Sequence, residues 1–181
     1  MKTKNEFLEL ALPDQKEIYG QFYDYFVSGE HDLKGLGLFG PVGVGKTNVF
    51  DDVIRHLFER EGGHFKQDIP PLMCEKYFKK ISSREICAGY EEHGLSFFNA
   101  WMFRSIMIDD LGTESPDSVH FGSRRDAVSE LLYSRYDKKL VTHFTTNLTA
   151  LALKDRYGER ITDRLREMVH QVYLEGESKR K

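Results

Sequence analysis

The chain has 181 residues, of which 40% are hydrophobic, which suits the core of about one domain. Its 26 basic and 29 acidic residues give a net charge of −3, which excludes a globally basic nucleic-acid binder and an acidic disordered tail. The sequence has neither the roughly 18–20-residue apolar run of a membrane span nor the apolar segment of a signal peptide. Cys74 and Cys87 lack metal-ligand and redox-motif spacing. We therefore expect a cytoplasmic protein with reduced thiols and no membrane contact.

Apolar periodicity predicts helices that alternate with short buried strands. Helices are expected at about 14–29, 47–60, 84–101 with a break at Gly94, 124–137, and 149–168 as one long or two short helices. Strands are expected at about 35–40, 69–74, 105–109, 140–145 and 169–174. This alternation predicts an α/β fold with a mostly parallel sheet and helices on both faces.

The most specific motif has the phosphate-loop pattern G-x-x-x-x-G-K-[ST], between a predicted buried strand and a predicted helix. Glycines let backbone N–H groups point at phosphate oxygens, and the helix adds its positive N-terminal end. The lysine supplies a cation for the β and γ phosphates, and the last hydroxyl is a ligand for Mg²⁺. The motif predicts nucleotide binding but does not distinguish a kinase from an ATPase. Its residues are Gly40, Pro41, Val42, Gly43, Val44, Gly45, Lys46 and Thr47.

Two further strands are predicted to end in polar residues at the same edge of the sheet. Asp109 and Asp110 follow the apolar residues 106–108, as in a Walker B strand, so Asp109 is expected to hold Mg²⁺ and Asp110 to polarise the attacking water. Asn147 follows the next strand and is expected to contact the γ-phosphate or that water, with Thr145 and Thr146 as less favoured alternatives.

Arginines recur every four residues on the last predicted helix, at Arg156, Arg160 and Arg164. For an isolated helix, a solvated face paired with neighbouring acids is the favoured interpretation. The alternative is an arginine finger that reaches the γ-phosphate of a neighbouring subunit, because the planar guanidinium can bind phosphate oxygens at two points.

In this order, the four elements resemble the AAA+ ATPases of the DnaC helicase-loader and IstB transposition-helper type. The resemblance covers about residues 35–181, after an N-terminal helical extension at 1–34. The matching segments are Gly-Pro-Val-Gly-Val-Gly-Lys-Thr (40–47), Ile-Asp-Asp-Leu-Gly (108–112), Thr-Thr-Asn-Leu (145–148) and Tyr-Gly-Glu-Arg-Ile-Thr-Asp-Arg-Leu-Arg-Glu-Met (157–168).

The resemblance implies a P-loop NTPase of the ASCE and AAA+ type, without a separate lid domain, that binds Mg²⁺ and ATP between protomers of a ring or filament. It implies action on a replicative helicase or a transposase, with DNA nearby. Arg164 best matches the arginine that acts on the neighbouring subunit, Arg160 comes second, and Arg180 resembles a sensor arginine. Loaders of this family generally carry a further N-terminal domain that grips the helicase or DNA, whereas about 34 residues precede the first predicted strand here. We therefore expect the resemblance to extend to the ATPase core and not to helicase binding.

Three hypotheses remain open from the sequence. The first is an AAA+ ATPase that loads or remodels a DNA-bound partner. A DnaC-like helicase loader is the favoured form of this hypothesis, and an IstB-like transposition helper is the alternative. The second is a small-molecule kinase, which the lack of an evident arginine-rich lid disfavours. The third is a module that holds ATP without rapid hydrolysis, because Asp110 is shorter than the usual glutamate. Local basic clusters are the candidates for DNA contact, at Lys76, Lys79, Lys80 and Arg84 and at Lys179, Arg180 and Lys181.

Overall fold

The chain divides into two compact units, one of residues 1–32 and 45–77 and one of residues 33–44 and 78–181. In the described part of the chain, no helix has the length and apolar character that crossing a membrane requires. The computed structural model describes residues 3–11, 13–28, 34–53, 78–102, 105–176 and 178.

The first unit is helical and is built around aromatic side chains. Phe7, Phe22, Phe26 and Phe50 are fully buried, and the rings of Phe22 and Phe50 meet edge to face at 5.0 Å. The predicted helix before Gly29 is confirmed as far as residue 28, whereas the expected continuation of the next helix to residue 60 and the strand at 69–74 lie outside the described residues. Its described elements are α1 (Lys4–Leu8), a 3-10 turn (Pro13–Gln15), α2 (Lys16–Tyr23), a π-helical turn (Asp24–Ser28) and α3 (Lys46–Val53).

The second unit contains a five-stranded sheet in which every neighbouring pair is parallel, in the order β2-β3-β6-β1-β7. The strands therefore share one carboxyl edge, and β6 separates the strand before the phosphate loop from the acidic strand. These strands are β1 (Gly35–Phe39), β2 (Phe78–Ser82), β3 (Ser105–Leu111), β6 (Thr142–Thr146) and β7 (Val169–Tyr173). A separate antiparallel hairpin is formed by β4 (Ser118–His120) and β5 (Ser123–Arg125).

Three helices of the second unit bury their apolar faces in one core with the sheet. The break predicted at Gly94 is confirmed, because this residue takes a positive φ of 62° where α4 gives way to a 3-10 helix. The prediction of one long or two short helices at 149–168 corresponds to α6 with a non-helical Gly158 inside it. The helices are α4 (Ser83–His93) with the 3-10 segment Gly94–Trp101, α5 (Ala127–Asp137) and α6 (Ala150–Met168).

The first residue of one helix in the second unit differs from the prediction. Helix α5 begins at Ala127 rather than at 124, because Asp126 caps it by accepting a hydrogen bond from the Ser129 amide and residues 123–125 pair in the hairpin. Arg135, on the same helix, is fully buried, and it donates to the Thr142 hydroxyl at 2.8 Å and to the Val141 carbonyl at 2.7 Å. Burial lowers the pKa of Arg135 to about 9, and its hydrogen bonds tie α5 to the start of β6.

Candidate nucleotide-binding site

The phosphate loop leaves the carboxyl end of β1 through a backbone that requires glycine. Gly43 has a φ of 82°, and a Cβ at this position would lie 2.1 Å from the Ser178 hydroxyl oxygen. Gly45 has a φ of 100° and leads into α3, where its carbonyl accepts the first helical hydrogen bond from Val49 at 3.1 Å. These left-handed residues turn successive N–H groups toward one side, which is how such loops hold anions.

Lys46 and Thr47 form the first turn of α3, as the motif predicts. Thr47 is half-buried, whereas Lys46 is only 5% exposed. Lys46 therefore does not stand in an open, exposed cradle. A lysine can bury its four-carbon stem in the surrounding protein, so its position near the loop does not require exposure.

The acidic end of β3 and the polar end of β6 form one hydrogen-bonded cluster. The Thr145 hydroxyl donates to Asp109 Oδ1 at 2.6 Å and accepts from the Asp110 amide at 2.9 Å. Asn147 Nδ2 donates to Asp110 Oδ1 at 3.3 Å. The structure thus brings together Asp109, Asp110 and Asn147, and it shows that Thr145, a less favoured alternative from the sequence, contacts both aspartates.

An irregularity in β3 explains how two successive aspartates can both contact residues at the end of β6. Neighbouring side chains in a regular strand point to opposite faces. Here the register between β3 and β6 shifts between Ile108 and Leu111, and Asp110 takes a positive φ of 53°. The Asp110 carbonyl accepts hydrogen bonds from the Ser83 and Thr113 hydroxyls, both at 2.9 Å, which hold this backbone in place.

A buried charge network joins the segment after β3 to α6. The buried Glu114 accepts from the Gly112 amide at 2.9 Å, from Arg156 at 2.8 Å and from the Tyr157 hydroxyl. Arg156 also pairs with Asp126 at 2.7 Å. Burial, followed by the charge of Glu114, raises the pKa of Tyr157. Because Arg156 is paired twice within its own chain, this member of the arginine stripe holds α6 in place.

The other two arginines of the stripe differ in their surroundings. The Arg164 guanidinium lies 4.6 Å from the centre of the Tyr133 ring, 4.5 Å from that of Tyr136 and 3.5 Å from an Asp137 oxygen. Its side chain is 19% exposed. Arg160 is exposed and lies 5.5 Å from the Tyr133 ring centre. Arg160 is therefore the more accessible of the two, whereas contacts with α5 hold Arg164. Arg180, which resembles a sensor arginine in the sequence, lies outside the described residues.

Solved structures with the same architecture are replication proteins. The DnaC helicase loader superposes with a TM-score of 0.67 at 19% identity, over 94% of this chain and 97% of that one. DnaI superposes with a TM-score of 0.62 at 20% identity, over 96% and 89% of the two chains. AMPPCP-bound DnaA from Aquifex aeolicus gives 0.60 at 14% identity, over 93% of this chain and 49% of that one. No protein-family model and no curated protein sequence matches the chain.

The chain shares the fold of these solved structures, a P-loop α/β fold of the AAA+ type. In this AAA+ fold the first half of the phosphate loop, residues 40–44, and the aspartate cluster lie at the carboxyl edge of one sheet. The sequence predicts the three motifs of this edge, but it does not reveal the roles of Thr145, Ser83 and Glu114. Their signals are weak, because hydroxyls at strand and helix ends commonly serve as caps.

We predict that Thr145→Val slows ATP hydrolysis about tenfold, because the variant loses the hydroxyl that joins the two aspartates but keeps the shape of the side chain. The measurement is the initial rate of phosphate release at saturating ATP. Thr145→Ser keeps the hydroxyl and is expected to hydrolyse ATP at close to the wild-type rate. Equal rates for wild type and the valine variant would show that this hydrogen bond does not position the aspartates.

Proposed function

We propose that the protein is an ATPase that binds Mg²⁺ and ATP at the carboxyl edge of its sheet and acts on a DNA-bound partner in the manner of a replicative helicase loader. The observation that carries the proposal is the cluster of Asp109, Asp110, Thr145 and Asn147 at the ends of β3 and β6. Strand β6 lies beside β1, which leads into the phosphate loop. In such α/β folds, nucleotides commonly bind at the carboxyl ends of the parallel strands, where phosphate-binding loops and acidic side chains follow the strands.

The residues of this edge suit a magnesium ion held together with nucleotide. The aspartate carboxylates and the Thr47 hydroxyl are hard oxygen ligands, and Mg²⁺ is usually held by one or two carboxylates together with substrate phosphates. Among the described residues no three His, Cys, Asp or Glu side chains gather into a metal cluster. Thr47 and Asp109 are the proposed ligands, and the bound ion would neutralise charge on the β and γ phosphates.

The remaining residues of the cluster have distinct roles in the proposal. Asp110 polarises the attacking water and accepts its proton, while Asn147 orients the Asp110 carboxylate through the hydrogen bond at 3.3 Å. Lys46 and the N–H groups of residues 40–47 bind the phosphates. The Thr145 hydroxyl keeps Asp109 and the Asp110 backbone at a fixed separation.

A neighbouring subunit supplies the last positive charge in this proposal. Arg156 is paired within its own chain, which leaves Arg160 and Arg164 as the fingers available on α6. Exposure favours Arg160, whereas the sequence resemblance ranks Arg164 first. A site completed by the next protomer requires a head-to-tail contact, which produces rings or open filaments. Self-association is therefore part of the proposed function.

The proposed function also includes contact with DNA and with a protein partner. The likeness to the DnaC helicase loader and to DnaI, although it shows the fold alone, makes a replicative helicase the favoured partner and a transposase the alternative. Lys79, Lys80 and Arg84 are exposed and are the proposed DNA contacts. The other basic candidates, Lys76 and residues 179–181, lie outside the described residues. We assign the ATPase domain to residues 35–181 and a helical extension to 1–34.

Phosphate release with and without single-stranded DNA tests the proposed function. We expect DNA to stimulate the rate and the stimulation to fall as salt is raised, because phosphate contacts release counterions. Replacing Lys79, Lys80 and Arg84 together by glutamine is expected to weaken DNA binding without changing the rate measured in the absence of DNA. Transfer of the γ-phosphate to a small acceptor would favour a kinase instead. Tight ATP binding without turnover would favour a module that holds ATP without rapid hydrolysis.

A further inference from the structure

Gln15 has a buried side chain whose amide is not used by the fold. It stands at the N-cap of α2 and is 8% exposed, yet its side chain makes no capping hydrogen bond. Within the described ranges, no hydrogen bond of any kind is found for this amide. The amide atoms are not fully removed from solvent, so the unpaired N–H donor can be reached by a ligand.

The Gln15 amide lies against the end of the phosphate loop. Its Nε2 atom is 3.4 Å from the position that a Cβ on Gly45 would occupy. Gly45 has a φ of 100° and is followed at once by Lys46 and Thr47 in the first turn of α3. The first turn of a helix presents unpaired N–H groups and the positive end of the helix dipole, which together favour an anion. The amide therefore lies beside a place suited to phosphate.

Contacts between α2 and α3 hold Gln15 in this position. The Tyr19 hydroxyl donates to Asp52 Oδ2 at 2.7 Å, and Phe22 packs against Phe50. Both contacts join the helix that Gln15 caps to the helix that begins with Lys46. The amide is thus positioned before a ligand arrives, which reduces the entropy lost on binding.

We propose that Gln15 is a nucleotide-binding residue that donates a hydrogen bond from Nε2 to a phosphate oxygen of the bound nucleotide. The inference rests on the proposed function, because it requires the loop to bind nucleotide. Phosphate oxygens only accept hydrogen bonds, and an amide nitrogen only donates them, so the pair is complementary. Hydrogen bonds to charged groups are stronger than those between neutral groups, so this contact would strengthen binding. The N-terminal extension would then contribute directly to the ATP site.

Binding titrations of the full chain with three ligands, each with Mg²⁺, test this assignment: ATP, ADP and inorganic tripolyphosphate. Gln15→Met keeps the length of the side chain and removes the donor, and Gln15→Glu puts a negative charge in the same place. The matched controls are Gln21→Met and Gln21→Glu on the exposed face of α2. Thermal melting without ligand checks that every variant is folded.

We expect Gln15→Met to weaken binding of all three ligands about tenfold and Gln15→Glu to weaken it about tenfold or more, with both Gln21 variants unchanged. A loss for ATP and ADP but not for tripolyphosphate would overturn the phosphate assignment, because the amide would then contact the base or ribose. If Lys46→Ala weakens binding as expected but the folded Gln15 variants bind with wild-type affinity, the inference is overturned and the proposed function stands. A wild-type protein that binds none of the three ligands would overturn the proposed function, and the inference with it.

Discussion

Arg160→Ala is expected to slow ATP hydrolysis about 10³-fold while leaving the affinity for ATP unchanged. Arg160 is exposed on α6, and its described contact is with one aromatic ring, Tyr133, at 5.5 Å. Within the described part of the chain, Arg160 makes no ion pair that would have to break before it reaches a γ-phosphate on the next subunit. It would act on charge that develops in the transition state, so the loss should appear in the rate and not in binding.

Two variants on the same helix serve as comparisons for Arg160→Ala. Arg166→Ala removes an exposed arginine that pairs with Asp163 at 3.3 Å, and it is expected to be close to wild type. Arg164→Ala removes contacts with two tyrosine rings and Asp137, so we expect a lower melting temperature. Full hydrolysis by Arg160→Ala, together with a 10³-fold loss in a stably folded Arg164→Ala protein, would assign the finger to Arg164 instead.

A mixture of inactive variants separates action on a neighbouring subunit from action within one chain. Arg160→Ala keeps its phosphate loop, and Lys46→Ala keeps its arginine. If the arginine acts on the next subunit, the two proteins together should regain part of the activity that each lacks alone. The absence of any recovery, together with a specific activity independent of protein concentration, would contradict completion of the site by a neighbour.

Lys46→Ala is expected to lower the affinity for ATP about 100-fold, because it removes the side-chain cation of the phosphate loop. Isothermal titration with Mg²⁺ and ATP measures this change. Because Lys46 is only 5% exposed, alanine also removes a packed aliphatic stem, so Lys46→Met is the matched variant that keeps apolar volume and loses the charge. Wild-type affinity in either folded variant would remove Lys46 from the site.

The motifs at the carboxyl edge of the sheet could be predicted from sequence because each is carried by neighbouring residues. The phosphate loop needs its glycines, lysine and threonine at fixed spacing, and the acidic end of β3 follows an apolar run directly. The pairing of Asp110 with Asn147 could be expected once both strands were placed in one parallel sheet. Chemistry that depends on local spacing is therefore visible in the chain itself.

Other features depend on tertiary contacts that periodicity does not record. Strand β2 was not predicted, because its two exposed lysines, Lys79 and Lys80, interrupt the apolar alternation of a half-buried strand. The hairpin at 118–125 overlaps the first two residues of the helix predicted at 124–137. Residues 123–125 are exposed and have no apolar alternation, so their sequence does not indicate a strand. The role of Thr145 depends on a register shift in β3, and the difference between Arg160 and Arg164 depends on where α5 places Tyr136 and Asp137.

The most direct test of the ATPase assignment is phosphate release by the purified protein with Mg²⁺ and ATP across a series of protein concentrations. We predict that phosphate is released, that the rate rises more steeply than in proportion to concentration, and that Lys46→Met at the same concentrations releases none above background. A wild-type protein that neither binds ATP nor releases phosphate at any concentration, with or without single-stranded DNA, would contradict the account.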